Sequence, residues 1–511
     1  MEELLMSGKS DSIGSSGILH HQSHIEEPAY EIPEAEGKRK SIAERMDKNG
    51  MMYSGKTAIV KGDSLLLPPS NVAEHVAEGL NIAKTPPEIE FAVVPYAYRF
   101  FEVPQTRNIV GPWSTWGQAV YHKSTESFYA ATGDHGTYNA HLHLIKYDTK
   151  KSEVVCLPEI NKQIGRTREH FGDGKIHGFL DFYKPRYLDR EHLWFCTYWC
   201  KYPEPTEKDY ATGYEGGYVM SYDPITGDLV DYGVPMPRAS WPYHRVDTRR
   251  GLMYGVGFFN EFLVWDIEKQ QTKWSGYPPS GMTWYNRCML VDEQTGFVYS
   301  NNTESPEKKL LKYDPGKNRI FELECGMPRN SRSGSIDPIR CHTRERGQDG
   351  LIWGVSGSGE LYSFDPDKEV IKGHGPSWPD WDSYVCTIDR SPGGRYLYYT
   401  IAAHSRAYLY GSPVIQYDLY TGTTKVLAFM FQELYDKYGY IAGGSYAFKL
   451  DEDGKKLFMI WNGDFTDVDE LRAKQGYDPA DATKYGVPGE RDAFGHVSAI
   501  VLNIPESERP E

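Results

Sequence analysis

Residues 394–402, GRYLYYTIA, and residues 414–427, VIQYDLYTGTTKVL, together contain the unit that decides the fold. An apolar strand is followed by a loop, a second apolar strand that ends in tyrosine and aspartate, a turn, and a further strand. Short apolar runs that are separated by turns rich in Asp and Gly are typical of antiparallel hairpins. One such unit cannot bury its faces alone, so the pattern predicts a repeat architecture.

The apolar strand of this unit recurs seven times along the chain. The matching segments are ESFYAATG (126–133), EHLWFCTYW (191–199), RGLMYGVG (250–257), TGFVYSNN (295–302), DGLIWGVSG (349–357), GRYLYYTIA (394–402) and KKLFMIWNG (455–463). The aspartate-turn part recurs as LIKYDTKKSEV (144–154), VMSYDPITGDLV (219–230), FLVWDIEKQQTKW (262–274), LLKYDPGKNRIFEL (310–323), LYSFDPDKEV (361–370) and VIQYDLYTGTTKVL (414–427). A spacing of roughly 40 to 65 residues is typical of propeller blades with long loops. The chain is therefore predicted to be all-β, a seven-bladed β-propeller.

The last unit lacks one strand. A polar insertion over 464–495 interrupts it, and HVSAIVLNIP (496–505) then supplies a single strand. The segment EIEFAVVPYAYRFFEVP, residues 88–104, precedes the first blade and is the natural donor, because pairing it there removes two open edges. We therefore predict a propeller over 88–511 whose ring is closed by the strand 88–104.

Residues 1–87 are predicted to form an irregular N-terminal arm. They are polar and acidic and show no sustained period, so residues 1 to about 50 are expected to be poorly ordered. A short amphipathic stretch, NVAEHVAEGLNIAK (71–84), indicates one helix within the arm.

Composition limits the classes of partner. The net charge of −15 argues against nucleic acid or an anionic membrane as the main partner, although a local cationic site for a small anion is compatible with it. No apolar run reaches the ~18 residues of a membrane helix. The N-terminus lacks the pattern of a signal peptide, and the seven cysteines contain no CxxC pair. A cytoplasmic location with reduced thiols is therefore expected, whereas the oligomeric state stays open.

Chemistry-bearing residues concentrate on one face. In antiparallel blades, the loops that lead into the first strands and those that join second to third strands share one end of the propeller, here called the upper face. Seven of the 16 histidines fall there: His135, His141, His177, His244, His342, His404 and His496, with His143 just inside the following strand. The same loops carry Arg245, Arg287, Arg340, Arg344 and Arg406, and Tyr138, Tyr243, Tyr285, Tyr384 and Tyr446. Loops on a rigid scaffold commonly carry function.

Three of these histidines, His177, His244 and His342, begin first strands in different blades and are predicted to surround one axial pocket. The alternative interpretation is that they are structural and that the arginines pair with surface carboxylates. A metal site at His141, His143 or His177 also stays open, because neutral imidazoles suit Mn, Fe or Zn.

Several segments resemble those of a known group of proteins. They are GSPVIQYDLYTGTTKVLAF (411–429), YGYIAGGSYAFKLDEDGKKLFMIWNGD (438–464), the blade starts GKIHG (174–178) and WPYHRVDTRRGLMYG (241–255), and the ending HVSAIVLNIPESERP (496–510). Over residues 110–505 the chain thus resembles the bacterial seven-bladed propeller polysaccharide lyases, the oligogalacturonate and ulvan lyases. It implies cleavage of acidic, uronate-containing oligosaccharides or polysaccharides by β-elimination, in some members with a divalent cation such as Mn or Ca.

Candidate site residues follow from the resemblance and from the chemistry of elimination. That reaction needs a positive charge on the substrate carboxylate, a base and a proton donor. His177 and His244 match the family's blade-start histidines best, and Tyr243 and Arg245 complete the predicted catalytic set, although neighbouring strand residues point to opposite faces. The predicted substrate-binding residues are His141, His143, Asn286, Arg287, His342, Arg344 and His404.

Two other classes of function remain open at this stage. One is a non-catalytic scaffold or glycan-binding propeller, because the fold alone does not decide function. The other is a metal-dependent hydrolase or lactonase, which needs Asp, Glu or Asn ligands around a central ion. Asn286 is the one blade-start residue that suits that role.

Overall fold

The computed structural model describes residues 54–95, 114–134, 140–166, 170–199, 204–380, 383–403, 406–465 and 496–509, and the backbone of 17–19, 101–102 and 109–110. Residues 1 to about 50, except 17–19, most of the insertion 464–495, and His135, Tyr138 and His404 therefore lie outside the described residues.

Seven antiparallel sheets form the predicted seven-bladed β-propeller. In order along each sheet, blade 1 contains Val120–His122, Ser127–Thr132, His143–Asp148 and Glu153–Glu159, and blade 2 contains Asp181–Tyr183, His192–Cys196, Val219–Tyr222 and Leu229–Asp231. Blade 3 contains Tyr243–Asp247, Leu252–Val256, Phe262–Asp266 and Gln271–Gly276, and blade 4 contains Leu290–Asp292, Phe297–Asn301, Leu310–Asp314 and Arg319–Glu322. Blade 5 contains Ile339–His342, Ile352–Ser356, Glu360–Asp365 and Val370–Pro376, and blade 6 contains Ile388–Arg390, Tyr396–Thr400, Pro413–Asp418 and Thr423–Phe429. Blade 7 contains Ile441–Leu450, Lys456–Asp464, Ser498–Asn503 and Glu88–Val93.

The first strands of the blades line the axis. The first strands of neighbouring blades contact each other. These contacts join blade 1 with blades 2 and 7, blade 2 with blade 3, blade 3 with blade 4, and blade 6 with blades 5 and 7. The first strand of blade 2 is broken, because Asp173–Lys175 pairs with Tyr198–Trp199 whereas Asp181–Tyr183 pairs with His192–Cys196. The residues between Lys175 and Asp181 are thus held at the axis outside the regular ladder.

An aspartate side chain explains the recurring sequence unit. At the end of the third strand of six blades, its carboxylate accepts hydrogen bonds from backbone N–H groups two or three residues ahead and so closes the turn into the fourth strand. These residues are Asp148, Asp223, Asp266, Asp314, Asp365 and Asp418. The signature that predicted the blades is therefore the chemistry of this turn.

The ring is closed by an N-terminal strand. Glu88–Val93 lies antiparallel to Ser498–Asn503, with Ile500 opposite Phe91. Packing between blades continues through the closure, since the ring of Phe128 in blade 1 stacks on that of Phe458 in blade 7 at 4.9 Å.

The N-terminal arm is more regular than the sequence analysis predicted. Ala58–Val60 pairs with Glu88–Val93 at the outer edge of blade 7, and Asn81–Ile82 runs parallel to Thr423–Phe429 at the edge of blade 6. The helix expected within 71–84 is present as Ser70–Ala77, and Gly17–Leu19 pairs with Leu229–Asp231 of blade 2. The open edges of the blades explain why these segments form strands, because the unpaired backbone groups at an edge favour pairing with an added strand.

Short helices connect some of the strands. They are the α-helices Ile160–Gln163, Glu207–Ala211 and Phe431–Tyr438, and the 3-10 helices Asp63–Leu66, Ala407–Tyr410 and Glu506–Glu508. Two further short strands, Phe101–Glu102 and Ile109–Val110, pair with each other. Among the described residues, no helix combines the length and the apolar character that crossing a membrane requires.

Glu508 is expected to act as a latch, a carboxylate whose hydrogen bonds hold the N-terminal arm against blade 6. Its Oε1 accepts from the backbone N–H groups of Lys84 (2.7 Å) and Thr85 (2.9 Å), and its Oε2 accepts from Lys425 Nζ at 2.8 Å. Because the carboxylate is buried, Glu508→Ala should lower the free energy of unfolding by about 2 kcal/mol. Hydrogen exchange at the amides of Lys84 and Thr85 should accelerate in this variant, and unchanged exchange there would contradict the latch.

Candidate functional site

Arg340 is the central feature of the upper face. It lies in the first strand of blade 5, is only 3% exposed, and forms no ion pair with a carboxylate of the described residues. Its Nε donates to the hydroxyl of Tyr384, and its guanidinium carbon lies 5.2 Å from the ring of Tyr384 and 5.6 Å from that of Tyr446. Among the described residues, its Nη2 is buried without a hydrogen-bond partner. The guanidinium therefore has a donor that no described residue uses.

The groups around Arg340 that affect its pKa are a thiol and three phenols. Burial opposes the charge of Arg340, whereas the Coulombic effects of Cys386, Tyr384, Tyr285 and Tyr446 in their ionised forms raise its pKa well above the ordinary value. Thiols and phenols are polar yet carry no negative charge at neutral pH. Among the described residues, no carboxylate acts on the positive charge of Arg340.

His177 lies in the break of blade 2, close to this cationic group. Burial lowers the pKa of His177 well below its ordinary value, and the charges of Arg287, Arg340 and Lys175 lower it further. Among the described residues, its Nδ1 is buried without a hydrogen-bond partner, and its ring meets that of Tyr198 edge to face at 6.3 Å. At neutral pH the imidazole is uncharged, which is the form that accepts a proton.

Lys175 adds a further cation to the same region. It is 5% exposed, and its Nζ lies 4.0 Å from the ring centroid of Trp116 and 5.8 Å from that of Tyr198. The predicted site residues Asn286 and Arg287 are half-buried beside Tyr285, in the loop that leads into blade 4, and the Asn286 side chain donates to the Phe258 carbonyl at 3.3 Å. Burial raises the pKa of Tyr285, so its phenol is protonated at neutral pH.

Arg245 and Arg344 lie elsewhere. Both guanidiniums stack on Phe179, at 4.8 and 4.7 Å, and both donate to Asp181 Oδ1, Arg245 at 2.6 Å. Arg245 also reaches Glu293, in the turn that joins the first two strands of blade 4, at 3.4 Å. That turn lies at the end of the propeller opposite the upper face. Unlike Arg340, with which the sequence analysis grouped them, these two arginines pair with carboxylates. Burial lowers the pKa of Arg344 to about 10 and also lowers that of Arg245.

The three blade-start histidines have three different surroundings. His342 is buried, with Nδ1 at 2.9 Å from the Thr343 carbonyl and Nε2 at 3.0 Å from the Met289 carbonyl, and burial lowers its pKa to about 4. His244 is fully buried, and both of its ring nitrogens lack a hydrogen-bond partner. It packs so closely on Gly178 that a β-carbon there would lie 2.7 Å from its Nδ1. Of the three, only His177 adjoins Arg340 electrostatically.

Tyr243 follows the alternation expected of a strand. It and Arg245 both contact Phe179, whereas His244 between them packs on the other face. Burial raises the pKa of Tyr243 well above its ordinary value. The catalytic roles of His177, His244, Tyr243 and Arg245 stay predictions.

Acid is expected to destabilise the propeller through His244. Burial lowers the pKa of His244 to about 3, whereas an imidazole in an unfolded chain has a pKa of about 6.5. Below pH ~6.5 the unfolded state binds a proton that the folded state does not bind, so stability falls as the pH falls. The loss between pH 7 and pH 5 amounts to about 2 kcal/mol. His244→Leu should therefore reduce the difference in unfolding free energy between these pH values by that amount, measured by urea titration. Equal differences in the two proteins would contradict this account.

The structure does not bring a metal-ligand set together within the described residues, since no three His, Cys, Asp or Glu side chains there meet in a suitable group. His141 Nδ1 lies 2.9 Å from Asp134 Oδ2, whereas His143 Nδ1 lies 2.7 Å from the Leu157 carbonyl. His496 Nδ1 lies 2.9 Å from Asp464 Oδ1. The divalent cation implied by the resemblance stays a prediction, and no step below passes through it.

Comparison with known proteins gives no family. No known protein-family profile and no curated protein matches the chain. A solved structure described as "Structure of U3-55K" is similar over 80% of this chain and 98% of that chain, with 7% sequence identity and a TM-score of 0.42. A likeness at this level carries no functional argument. The chain is a seven-bladed β-propeller because its own strand pairing forms seven blades around one axis.

Proposed function

We propose that this protein binds an acidic, uronate-containing oligosaccharide on its upper face and cleaves it by β-elimination. One observation carries the proposal. Arg340 is a buried guanidinium with an unpartnered Nη2 and no carboxylate counter-ion among the described residues. A protein keeps such a charge at considerable cost in desolvation, and a ligand carboxylate would offset that cost.

The carboxylate of the substrate binds Arg340 in this proposal. Charge-assisted hydrogen bonds from the guanidinium neutralise it and so acidify the C–H bond on the neighbouring carbon. Lys175 and Arg287 strengthen the positive potential, because both act on the same histidine as Arg340 does. Neutral sugars lack the group that this site recognises.

His177 and Tyr285 supply the proton transfers. The neutral imidazole of His177 takes the proton from the carbon next to the carboxylate, and the electron pair of that C–H bond forms a carbon–carbon double bond. The bond from the next carbon to the glycosidic oxygen breaks, and the leaving oxygen takes a proton from the Tyr285 hydroxyl. His177 then returns its proton to water, and Tyr285 regains one. Both residues adjoin Arg287 and Arg340 electrostatically, and both have the protonation state that their roles require.

An absorbance assay tests this function. The protein is incubated with a panel of uronate oligosaccharides, and the ultraviolet absorbance of the unsaturated product is followed, with neutral oligosaccharides of the same length as the control. We expect absorbance to rise for at least one acidic substrate and for no neutral one. Binding without any rise in absorbance would favour a non-catalytic glycan-binding propeller, and the absence of both would contradict the proposal.

A further inference from the structure

A ridge of aromatic rings leads away from His177 across blades 2 and 3. The ring of His177 meets Tyr198 at 6.3 Å, Tyr198 stacks on Phe258 at 6.2 Å, and Phe258 meets Phe259 edge to face at 5.1 Å. Trp199 supports the outer end, because its ring lies 5.5 Å from that of Phe259. The ridge begins buried at the proposed site and ends at Phe259, which is 47% exposed.

The turn that presents Phe259 is fixed by hydrogen bonds. The N–H of Phe258 donates to the Ser240 carbonyl at 3.0 Å, and the N–H of Phe259 donates to the buried carboxylate of Glu261 at 2.8 Å. Asn260 adopts a φ of 77° and bridges to the next blade, where its Oδ1 accepts a hydrogen bond from the backbone N–H of Trp284 at 2.8 Å. The exposed ring is thus held in place before any ligand arrives, which lowers the entropy lost on binding.

Position distinguishes Phe259 from other exposed aromatic residues. A single exposed apolar side chain is ordinary on a soluble protein. Phe259, however, lies in the turn between the second and third strands of blade 3, which places it on the upper face with His177. Tyr277, which is 57% exposed, follows the fourth strand of the same blade at its outer edge.

We infer that Phe259 forms a sugar-stacking subsite, so that the ligand at Arg340 is an oligosaccharide that extends outward across blades 2 and 3. This inference rests on the proposed function. A flat aromatic ring packs well on the C–H face of a pyranose ring and has no polar atom with which to select its substituents. The subsite therefore selects for chain length, whereas the cationic centre selects for acid.

Binding measurements with galacturonic acid and its tetrasaccharide test the subsite. Calorimetry is carried out with His177→Ala as the background, so that the ligand stays intact, and with Phe259→Ala or Tyr277→Ala added as the matched pair. We expect Phe259→Ala to raise the Kd of the tetrasaccharide about tenfold and to leave the Kd of the monosaccharide unchanged. Tyr277→Ala should change neither value, and Phe259→Trp should restore tight binding.

The outcomes separate the subsite from the proposed function. Equal tetrasaccharide binding by Phe259→Ala and its background, or equal weakening of both ligands, would overturn the subsite alone. No binding of either ligand in the background and no turnover by the wild type would overturn the proposed function and the subsite with it. A KM for the tetrasaccharide that rises in otherwise wild-type Phe259→Ala while kcat stays constant would support the subsite independently of the His177→Ala background.

Discussion

Replacing Arg340 with methionine is expected to lower turnover of a uronate oligosaccharide by about 10²- to 10³-fold, the usual weight of one positioned charge-stabilising donor. The stability of the variant should rise or stay unchanged. Arg340 is buried without a carboxylate counter-ion among the described residues, so its removal leaves none of them unpaired, and a methionine thioether is suited to pack against Tyr384 and Tyr446. Turnover is measured by product absorbance and stability by thermal unfolding.

Arg245→Met is the matched control for Arg340→Met. Arg245 donates to Asp181 at 2.6 Å, and both side chains are buried. Arg245→Met removes one of the two arginines that pair with this buried carboxylate and leaves Arg344 as the other. The loss of a buried hydrogen bond between charged groups costs about 1.5–3 kcal/mol. We therefore expect Arg245→Met to lower the melting temperature markedly while Arg340→Met does not. If Arg340→Met loses stability in proportion to activity, its role is structural and the proposed function is wrong.

Replacing His177 with alanine is the second substitution with a large expected effect. Loss of a positioned base should lower kcat by about 10²-fold or more. Folding should change less than activity, because His177 lies in the break of its strand and loses only the contact of its ring with the Pro242 backbone and its packing. A variant that retains near wild-type turnover, or that loses activity only as it unfolds, would contradict this role.

The pH dependence of turnover by the wild-type protein tests the same residue. His177 must be neutral to accept a proton, and its pKa lies well below the ordinary histidine value. Activity should consequently persist as the pH falls through ~6.5. It should decline only at the lower pH at which the His177 imidazole becomes protonated. A kcat/KM that halves near pH ~6.5 would indicate an unperturbed histidine instead. The profile of His177→Ala should lack this acidic limb.

The fold could be predicted because its determinants are local. The Asp turn after each third strand involves residues two or three positions apart, so it is visible in the sequence at Asp314 and Asp418 as clearly as in the structure. The structure of the N-terminal arm was harder to predict from the sequence. Its segments Ala58–Val60 and Asn81–Ile82 form strands because the edges of blades 7 and 6 are available to pair with them.

The site could be predicted in part. Sequence reasoning grouped His177, Arg287 and Arg340 from the positions of strand starts, and in the structure the charges of Arg287 and Arg340 both act on His177. It could not show that Arg344 reaches Asp181, a contact between residues 163 positions apart. It also missed Lys175, which lies only two positions before His177 in the sequence.

The central claim, that Arg340 holds a substrate carboxylate, is tested most directly by comparing two ligands on two proteins. The ligands are a uronate tetrasaccharide and the same molecule with its carboxylates reduced to alcohols, and both proteins carry His177→Ala to prevent turnover. The protein with Arg340 intact should bind the acid about tenfold to 10²-fold more tightly than the alcohol, whereas the one with Arg340→Met should bind the two about equally. Equal preference for the acid with and without Arg340 would contradict the account.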